Sequence, residues 1–269
     1  MPSVLLTRPA ERNRADDDLH SLLKHGGVEL IELPMVHFTL AHDLDLLDQA
    51  LRNLASGNYD VAILSSPTAV EFFLQRITDL GFDVYAFLST KFGAVGAATA
   101  NALRAIGIEV SLPLPLQAGS QELVEALRDE HLADKRILLL QSQIGMEHLK
   151  LGLEELGAEV TRVTLYETHG PTLADGARFI HLLESERKPD VIVFFSPSSV
   201  RFCIRTLAEM ASGLIRELPA IACIGETTAK AVEEALKRRP EIVARKANQT
   251  SLAQDILIYL SLPKMRIIQ

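Results

Sequence analysis

One strand-to-helix joint occurs twice in this chain, and its repetition sets the architecture. Tyr59-Asp60-Val61-Ala62-Ile63-Leu64-Ser65-Ser66-Pro67 aligns with Pro189-Asp190-Val191-Ile192-Val193-Phe194-Phe195-Ser196-Pro197, with Pro67 and Pro197 130 positions apart. Val70 and Phe72 then meet Val200 and Phe202. A second joint, Ala94-Val95-Gly96-Ala97-Ala98-Thr99-Ala100, aligns with Cys223-Ile224-Gly225-Glu226-Thr227-Thr228-Ala229, and Ala118 with Leu123 matches Ala247 with Leu252 at the same spacing. Leu22 to Ile31 parallels Leu153 to Val163, each a helix end, a glycine stop and a strand. Self-similarity over half a chain means two copies of one supersecondary plan.

Short β-branched or apolar runs alternate with amphipathic stretches along nearly the whole length, the pattern of an α/β protein with parallel sheets. Ten strand candidates run from Val4–Thr7 to Glu241–Ala244, Glu109–Ser111 among them, with ten helix candidates interleaved. With 269 residues the length suits one large domain or two small ones, and each half of the repeat supplies five strands. Consecutive and interleaved domains both satisfy the right-handed crossover rule. The segments Leu33–Phe38 and Val163–Thr168 run on as extended chain where a turn is expected, as a pair crossing between domains would.

Composition excludes several classes of function. At 48% hydrophobic and 23% charged residues the chain has a core to bury, and disorder is ruled out. A net charge of -8 argues against a nucleic-acid or anionic-membrane binder, although it leaves room for a local basic pocket. Cys203 and Cys223, the only cysteines, each lie in an apolar run and read as buried reduced thiols, which points to the cytoplasm. No stretch has the length of a membrane span and no signal-like segment opens the chain, so a soluble protein is expected, unprocessed apart from loss of Met1.

At both Ser66-Pro67 and Ser196-Pro197 a strand ends at a serine suited to cap the next helix, with proline suited to its first turn. The free N–H groups and helix dipole then point out of the sheet's carboxyl edge, a ready anion site. Gly96 and Gly225 open the next helices and leave Thr99 and Thr228 on the first turn. Any one joint is ordinary capping chemistry, but four in matching register predict a cleft for a ligand with many carboxylates or phosphates. Gly93-Ala94-Val95-Gly96-Ala97-Ala98 lacks the dinucleotide spacing, no phosphate loop occurs, and the eight histidines form no ligand set, so no metal and no nucleotide is expected. There is no nucleophile elbow. Tyr166 falls in the second crossing segment, where its hydroxyl either overhangs a cleft or serves as the wet tip of a packed ring. Arg8, Arg12 and Arg14 follow the first strand and read either as anion partners or as solvated arginines beside the acidic turn Asp16-Asp17-Asp18.

Taken in order, Leu5-Leu6-Thr7-Arg8-Pro9, Ser65-Ser66-Pro67, Val95-Gly96-x-x-Thr99-Ala100, Leu156-Gly157-Ala158-Glu159-Val160 with Tyr166-Glu167, Phe194-Phe195-Ser196-Pro197 and Ile224-Gly225-x-Thr227-Thr228-Ala229 resemble the uroporphyrinogen-III synthase family. The resemblance implies two flavodoxin-like parallel-sheet domains, one from 1–36 plus 170–269 and one from 39–165, joined by extended linkers near 36–38 and 165–169. It implies a cofactor-free cytoplasmic enzyme, a monomeric lyase of tetrapyrrole biosynthesis, that converts hydroxymethylbilane to uroporphyrinogen III with inversion of ring D. A hand-off from hydroxymethylbilane synthase is the partner it suggests. Tyr166 matches the family's tyrosine and is expected to act as a helpful rather than essential general acid, since a phenol of pKa about 10 gives up its proton reluctantly at neutral pH. Thr99 and Thr228 match its paired threonines, with Arg8, Ser65, Ser66, Gly96, Ser196, Ser198, Gly225 and Thr227 around the substrate. Thr68 stands where an arginine is frequent, and Gln141-Ser142 with Met146 where a glycine- and arginine-rich turn is usual, which leaves open which basic groups meet the carboxylates. The competing reading is a non-catalytic two-domain ligand sensor with the same hinged cleft.

Overall fold

The computed structural model describes residues 1–9, 18–145 and 147–262. Arg12, Arg14, Asp16, Asp17, Met146 and the tail from 263 onward lie outside them. In chain order the described residues form β1 (Ser3–Leu6), α1 (Asp18–His25), β2 (Glu29–Glu32), β3 (His37–Leu40), α2 (Leu44–Ala55), β4 (Val61–Leu64), α3 (Pro67–Asp79), β5 (Lys91–Ala94), α4 (Ala97–Ala105) and α5 (Ser120–Ala126). There follow β6 (Arg136–Ser142), α6 (His148–Glu155), β7 (Glu159–His169), α7 (Leu173–Glu184), β8 (Val191–Phe194), α8 (Pro197–Met210), β9 (Ala220–Cys223), α9 (Glu226–Leu236), β10 (Ile242–Val243) and α10 (Gln249–Ser261).

The chain divides into two compact units, residues 1–37 with 169–269 (unit 1) and residues 38–168 (unit 2). The sheet of unit 1 has the order β10-β9-β8-β1-β2, with every neighbouring pair parallel. The second sheet has the order β3-β7-β6-β4-β5, and its β7-β6-β4-β5 pairs are parallel. Strand for strand, β9-β8-β1-β2 repeats β5-β4-β6-β7. The repeat is therefore a pair of α/β sheets interleaved in sequence.

Alternation explains why these short strands are stable. In β4, Ala62 and Leu64 enter one apolar cluster and Val61 and Ile63 another, so both faces are covered by helices. β8 divides in the same way, Ile192 and Phe194 to one side and Val191 and Val193 to the other. Continuous apolar runs of this kind are what a buried parallel strand requires. At the glycine stops, Gly27 and Gly157 take φ of 73° and 87°, a left-handed turn that L side chains resist.

The structure departs from the sequence reading at two places. The expected strand Glu109–Ser111 is a single parallel bridge, Phe92 to Val110, in the place that β10 holds in the other sheet. Pro113 and Pro115 follow closely and remove the donors that a longer ladder needs. The extended run after β2 is itself a strand from His37: β3 pairs with the long β7 at the sheet edge, and the Ala41 N–H donates to Leu165 O at 3.2 Å.

Candidate functional site

In a parallel sheet all strands end at one edge, and the chemistry-bearing joints fall there in both units. In unit 2, β4 leads through Ser65 into the cap of α3. The Ser66 hydroxyl accepts the Ala69 N–H at 3.0 Å, closing the first turn, with Pro67 in that turn. The same oxygen lies 3.0 Å from the Tyr166 hydroxyl. Tyr166 comes from β7 and is 6% exposed. Phe72 stacks on its ring at 5.4 Å and 4°, and Phe38 meets it edge-on at 5.6 Å and 84°. The ring is buried in the apolar cluster of unit 2, and its hydroxyl reaches the cap of α3.

Gly96 is the N-cap of α4 and Thr99, buried, stands in its first turn. A Cβ on Gly96 would lie 2.5 Å from the Ala118 Cβ, so close approach of the following loop, not backbone freedom, requires glycine there. The repeat-related Gly225, N-cap of α9, would place its Cβ 3.3 Å from Ala247. The co-repeating alanines of the sequence are the residues that seat on these glycines.

In unit 1, Thr7 is buried at the end of β1 and donates its hydroxyl to Val193 O at 2.7 Å. Arg8 follows, its guanidinium 5.7 Å above the Phe195 ring, a cation–π contact that orients it. Ser196 caps α8 through a reciprocal box: its hydroxyl accepts the Ser199 N–H at 3.2 Å while Ser199 Oγ accepts the Ser196 N–H at 3.3 Å. Ser196 Oγ also lies 3.0 Å from Ser198 Oγ. On α9, Thr227 is exposed and Thr228 buried.

The sequence-predicted residues thus fall into two sets at two sheet edges: Ser65, Ser66, Gly96, Thr99 and Tyr166 in unit 2, and Arg8, Ser196, Ser198, Gly225, Thr227 and Thr228 in unit 1. The helices α3, α4 and α8 carry no acidic side chain in the first turn, whereas α9 carries Glu226. Acidic residues normally settle at such termini, so three of the four leave the positive helix end open to a ligand's carboxylate. Thr68 is buried in the first turn of α3. Gln141 is buried at the end of β6, where a Cβ on Gly145 would lie 2.5 Å from its Cδ.

Sequence reasoning missed the aromatic neighbours of the site. Phe72 was visible only as a repeat partner of Phe202, and Phe195 only as part of a strand. The Ser66–Tyr166 contact joins residues 100 positions apart and has no local signature. Both cysteines are free and buried. Burial pushes the Cys203 thiol far up, and burial with Glu226 and Glu241 pushes that of Cys223 up to about 12, so neither offers a thiolate at neutral pH. No helix among the described residues is long and apolar enough to cross a membrane.

Two interleaved parallel sheets, each with one serine-capped and one glycine-opened helix start at its carboxyl edge, define a two-unit α/β protein. A family model described as "Uroporphyrinogen-III synthase HemD" matches residues 17–254. The chain belongs to the uroporphyrinogen-III synthase family. It is 28% identical over 239 residues to a chloroplastic uroporphyrinogen-III synthase of Oryza sativa subsp. japonica, covering 87% of this chain and 72% of the relative. It is 25% identical over 254 residues to the "Porphyrin biosynthesis protein HemD" of Ruminiclostridium josui, covering 94% of this chain but only 48% of that protein, so the chain spans about half of its length. In fold it is similar to a mutant uroporphyrinogen III synthase of the extremely thermophilic bacterium Thermus thermophilus, with a TM-score of 0.69 at 19% identity over 97% of this chain and 99% of the other. A Helicobacter pylori uroporphyrinogen-III synthetase gives a TM-score of 0.58 at 17% identity, over 97% and 100%.

Proposed function

We propose that this chain carries out the family reaction itself, a lyase-type cyclisation of hydroxymethylbilane to uroporphyrinogen III with inversion of ring D and loss of water. The observation that carries this reading is the set of helix N-termini, two capped by serine and two opened by glycine, three of them free of first-turn acid, at the carboxyl edges of both sheets. The proposed substrate has eight carboxylates, and repeated N–H and hydroxyl donors hold them even on a chain of net charge -8. Binding that rests on such contacts weakens as salt rises.

In this reading Tyr166 donates its phenol proton to the ring A hydroxyl, which departs as water and leaves an azafulvene cation. Ring D attacks through its substituted carbon to give a spiro intermediate, and fragmentation and reclosure at the other position invert the ring. The proton lost from the ring D carbon at the end restores the Tyr166 phenol, so the sum is loss of one water. The bilane closes unaided to the uninverted isomer, and the protein's main contribution is to hold the folded conformer that leads to inversion. Thr99 and Thr228, with Ser65, Ser196, Ser198, Thr227, Arg8 and the N–H groups after Gly96 and Gly225, bind the acetate and propionate groups. The enzyme works in the cytoplasm as a monomer, without a cofactor, on substrate released by hydroxymethylbilane synthase.

The test supplies freshly generated hydroxymethylbilane to the purified protein, oxidises the products and separates type I from type III uroporphyrin. Type III in proportion to protein is expected. Type I alone at the blank rate overturns the proposal and favours a ligand-binding module of the same fold.

A further inference from the structure

We infer that Ser66 is a positioning residue for the acid step: its hydroxyl, polarised by the start of α3, holds the Tyr166 oxygen and steadies it once the phenol proton has left. The inference rests on the reading of Tyr166 as general acid and goes beyond it by naming what makes a reluctant acid serviceable.

Three observations carry it. First, Ser66 Oγ already accepts the Ala69 N–H at 3.0 Å, which fixes the hydroxyl and leaves its proton and one lone pair for a second partner. Its distance to the Tyr166 hydroxyl is 3.0 Å, within hydrogen-bond range. Second, the phenol ring cannot swing away from that contact without breaking the Phe72 stack and the Phe38 edge contact. Third, α3 is a 13-residue helix with no acidic side chain in its first turn, so the positive end of its dipole lies at Ser66 uncompensated.

The chemistry follows from which partner can donate. Before reaction either oxygen of the pair can be the donor. When the phenol proton moves to the departing ring A hydroxyl, the O–H bonding pair stays on the phenol oxygen and the C–O pair leaves with water. The phenolate can then only accept, and Ser66 donates to it a charge-assisted hydrogen bond, stronger than the neutral one it replaces. No proton leaves Ser66. An interaction that strengthens as charge develops lowers the barrier and leaves ground-state binding unchanged.

The repeat supplies an internal contrast. Ser196, in the same place on α8, spends its hydroxyl on Ser199 N–H and Ser198, and the chain beyond β2 of that unit continues through Met35 and Val36, both buried and neither able to give a proton. Of the two Ser-Pro joints, the one at α3 couples its helix cap to a phenol.

The test is a double-mutant cycle on the intact chain, with kcat and KM read from formation of type III uroporphyrin. Ser66→Gly removes the hydroxyl while glycine remains an acceptable N-cap, and Ser66→Thr keeps both the hydroxyl and the cap. Ser66→Gly is expected to lower kcat about 10- to 100-fold with KM changed less than about twofold, the loss of a hydrogen bond to a charged group. Ser66→Thr is expected to keep most of the rate. In the Tyr166→Phe background the same Ser66→Gly change is expected to do almost nothing, because its target is gone. An equal loss in both backgrounds, or a loss confined to KM, makes Ser66 a plain substrate ligand and overturns the inference while leaving the acid reading intact. A Tyr166→Phe variant as fast as the parent overturns both, and a Ser66→Gly variant as fast as the parent overturns the inference alone. Urea midpoints for each variant separate a kinetic loss from a folding loss.

Discussion

The two Ser-Pro joints start from nearly the same sequence and end with different chemistry. Both serines cap a long helix with the same extended backbone, φ -160° in each case. At Ser196 two serines follow Pro197: Ser199 completes a capping box with it, and Ser198 Oγ lies 3.0 Å from its hydroxyl. At Ser66 the corresponding residues are Thr68 and Ala69, the box cannot form, and the other side of the hydroxyl meets Tyr166. The two helix starts thus differ in what the serine hydroxyl meets, a second serine at Ser196 and a phenol at Ser66, and under the proposed function the first holds substrate while the second serves proton transfer.

The largest effect expected to sharpen this contrast is that of Tyr166→Phe, about 100-fold in kcat, at the low end for loss of a general acid. Stability should barely move, since the ring stays between Phe38 and Phe72; a dead but folded variant would show that the phenol is essential rather than helpful. Next come the paired glycines. Gly96→Ala should cost about 1–3 kcal/mol in urea unfolding because its Cβ would collide with Ala118. Gly225→Ala should cost less than about 1 kcal/mol, because a small shift of Ala247 relieves the milder contact there. Equal costs would mean that the two loops seat alike and the contrast is confined to the serines. Substituting the caps should separate stability from turnover: Ser196→Ala and Ser66→Ala are each expected to lose about 0.5–2 kcal/mol, because each leaves one first-turn N–H, of Ser199 or of Ala69, without its side-chain acceptor.

A smaller effect concerns the opposite edge of the sheets. Asp60 accepts the Arg136 N–H at 2.9 Å, as its repeat partner Asp190 accepts that of Ser3. That backbone hydrogen bond, with the Arg136 and Lys135 charges, holds the Asp60 carboxyl below its usual range against a modest opposing effect of burial. A depressed folded-state value means that the stabilisation is present above the unfolded pKa of about 4 and is lost as pH falls through the folded one. Asp60→Asn should therefore flatten the acid limb of the stability profile below about pH 4. The change should be small, because the side chain is 35% exposed and solvent screens it. A steeper limb in the variant would contradict the assignment.

Much of the fold was legible because its signals are local and repeated. Apolar runs such as Val61–Leu64 and Val191–Phe194 are too short for helices and end at Ser-Ser-Pro or Phe-Ser-Pro, which marks them as buried strands, and Ser-Pro or glycine at the joint fixes where each helix starts. Glu109–Ser111 misled because its β-branched valine looks like a strand while the prolines that curtail the ladder lie beyond it. At the site, the capping residues could be read from spacing, since a cap acts on a residue three positions away. Phe195 beneath Arg8 and Phe72 beneath Tyr166 could not, because those contacts depend on strand order and on which face a helix presents. The pairing of Ser66 with Tyr166 needed the β3-β7-β6-β4-β5 order to bring β7 and β4 to either side of β6.

The most direct measurement compares Ser66→Gly with Ser196→Gly in one assay, reading kcat and KM for type III uroporphyrin under identical conditions. The account predicts a split: a fall in kcat at unchanged KM for Ser66→Gly, and a rise in KM at unchanged kcat for Ser196→Gly. Matching profiles for the two variants, or the reverse split, would contradict the division of labour between the joints.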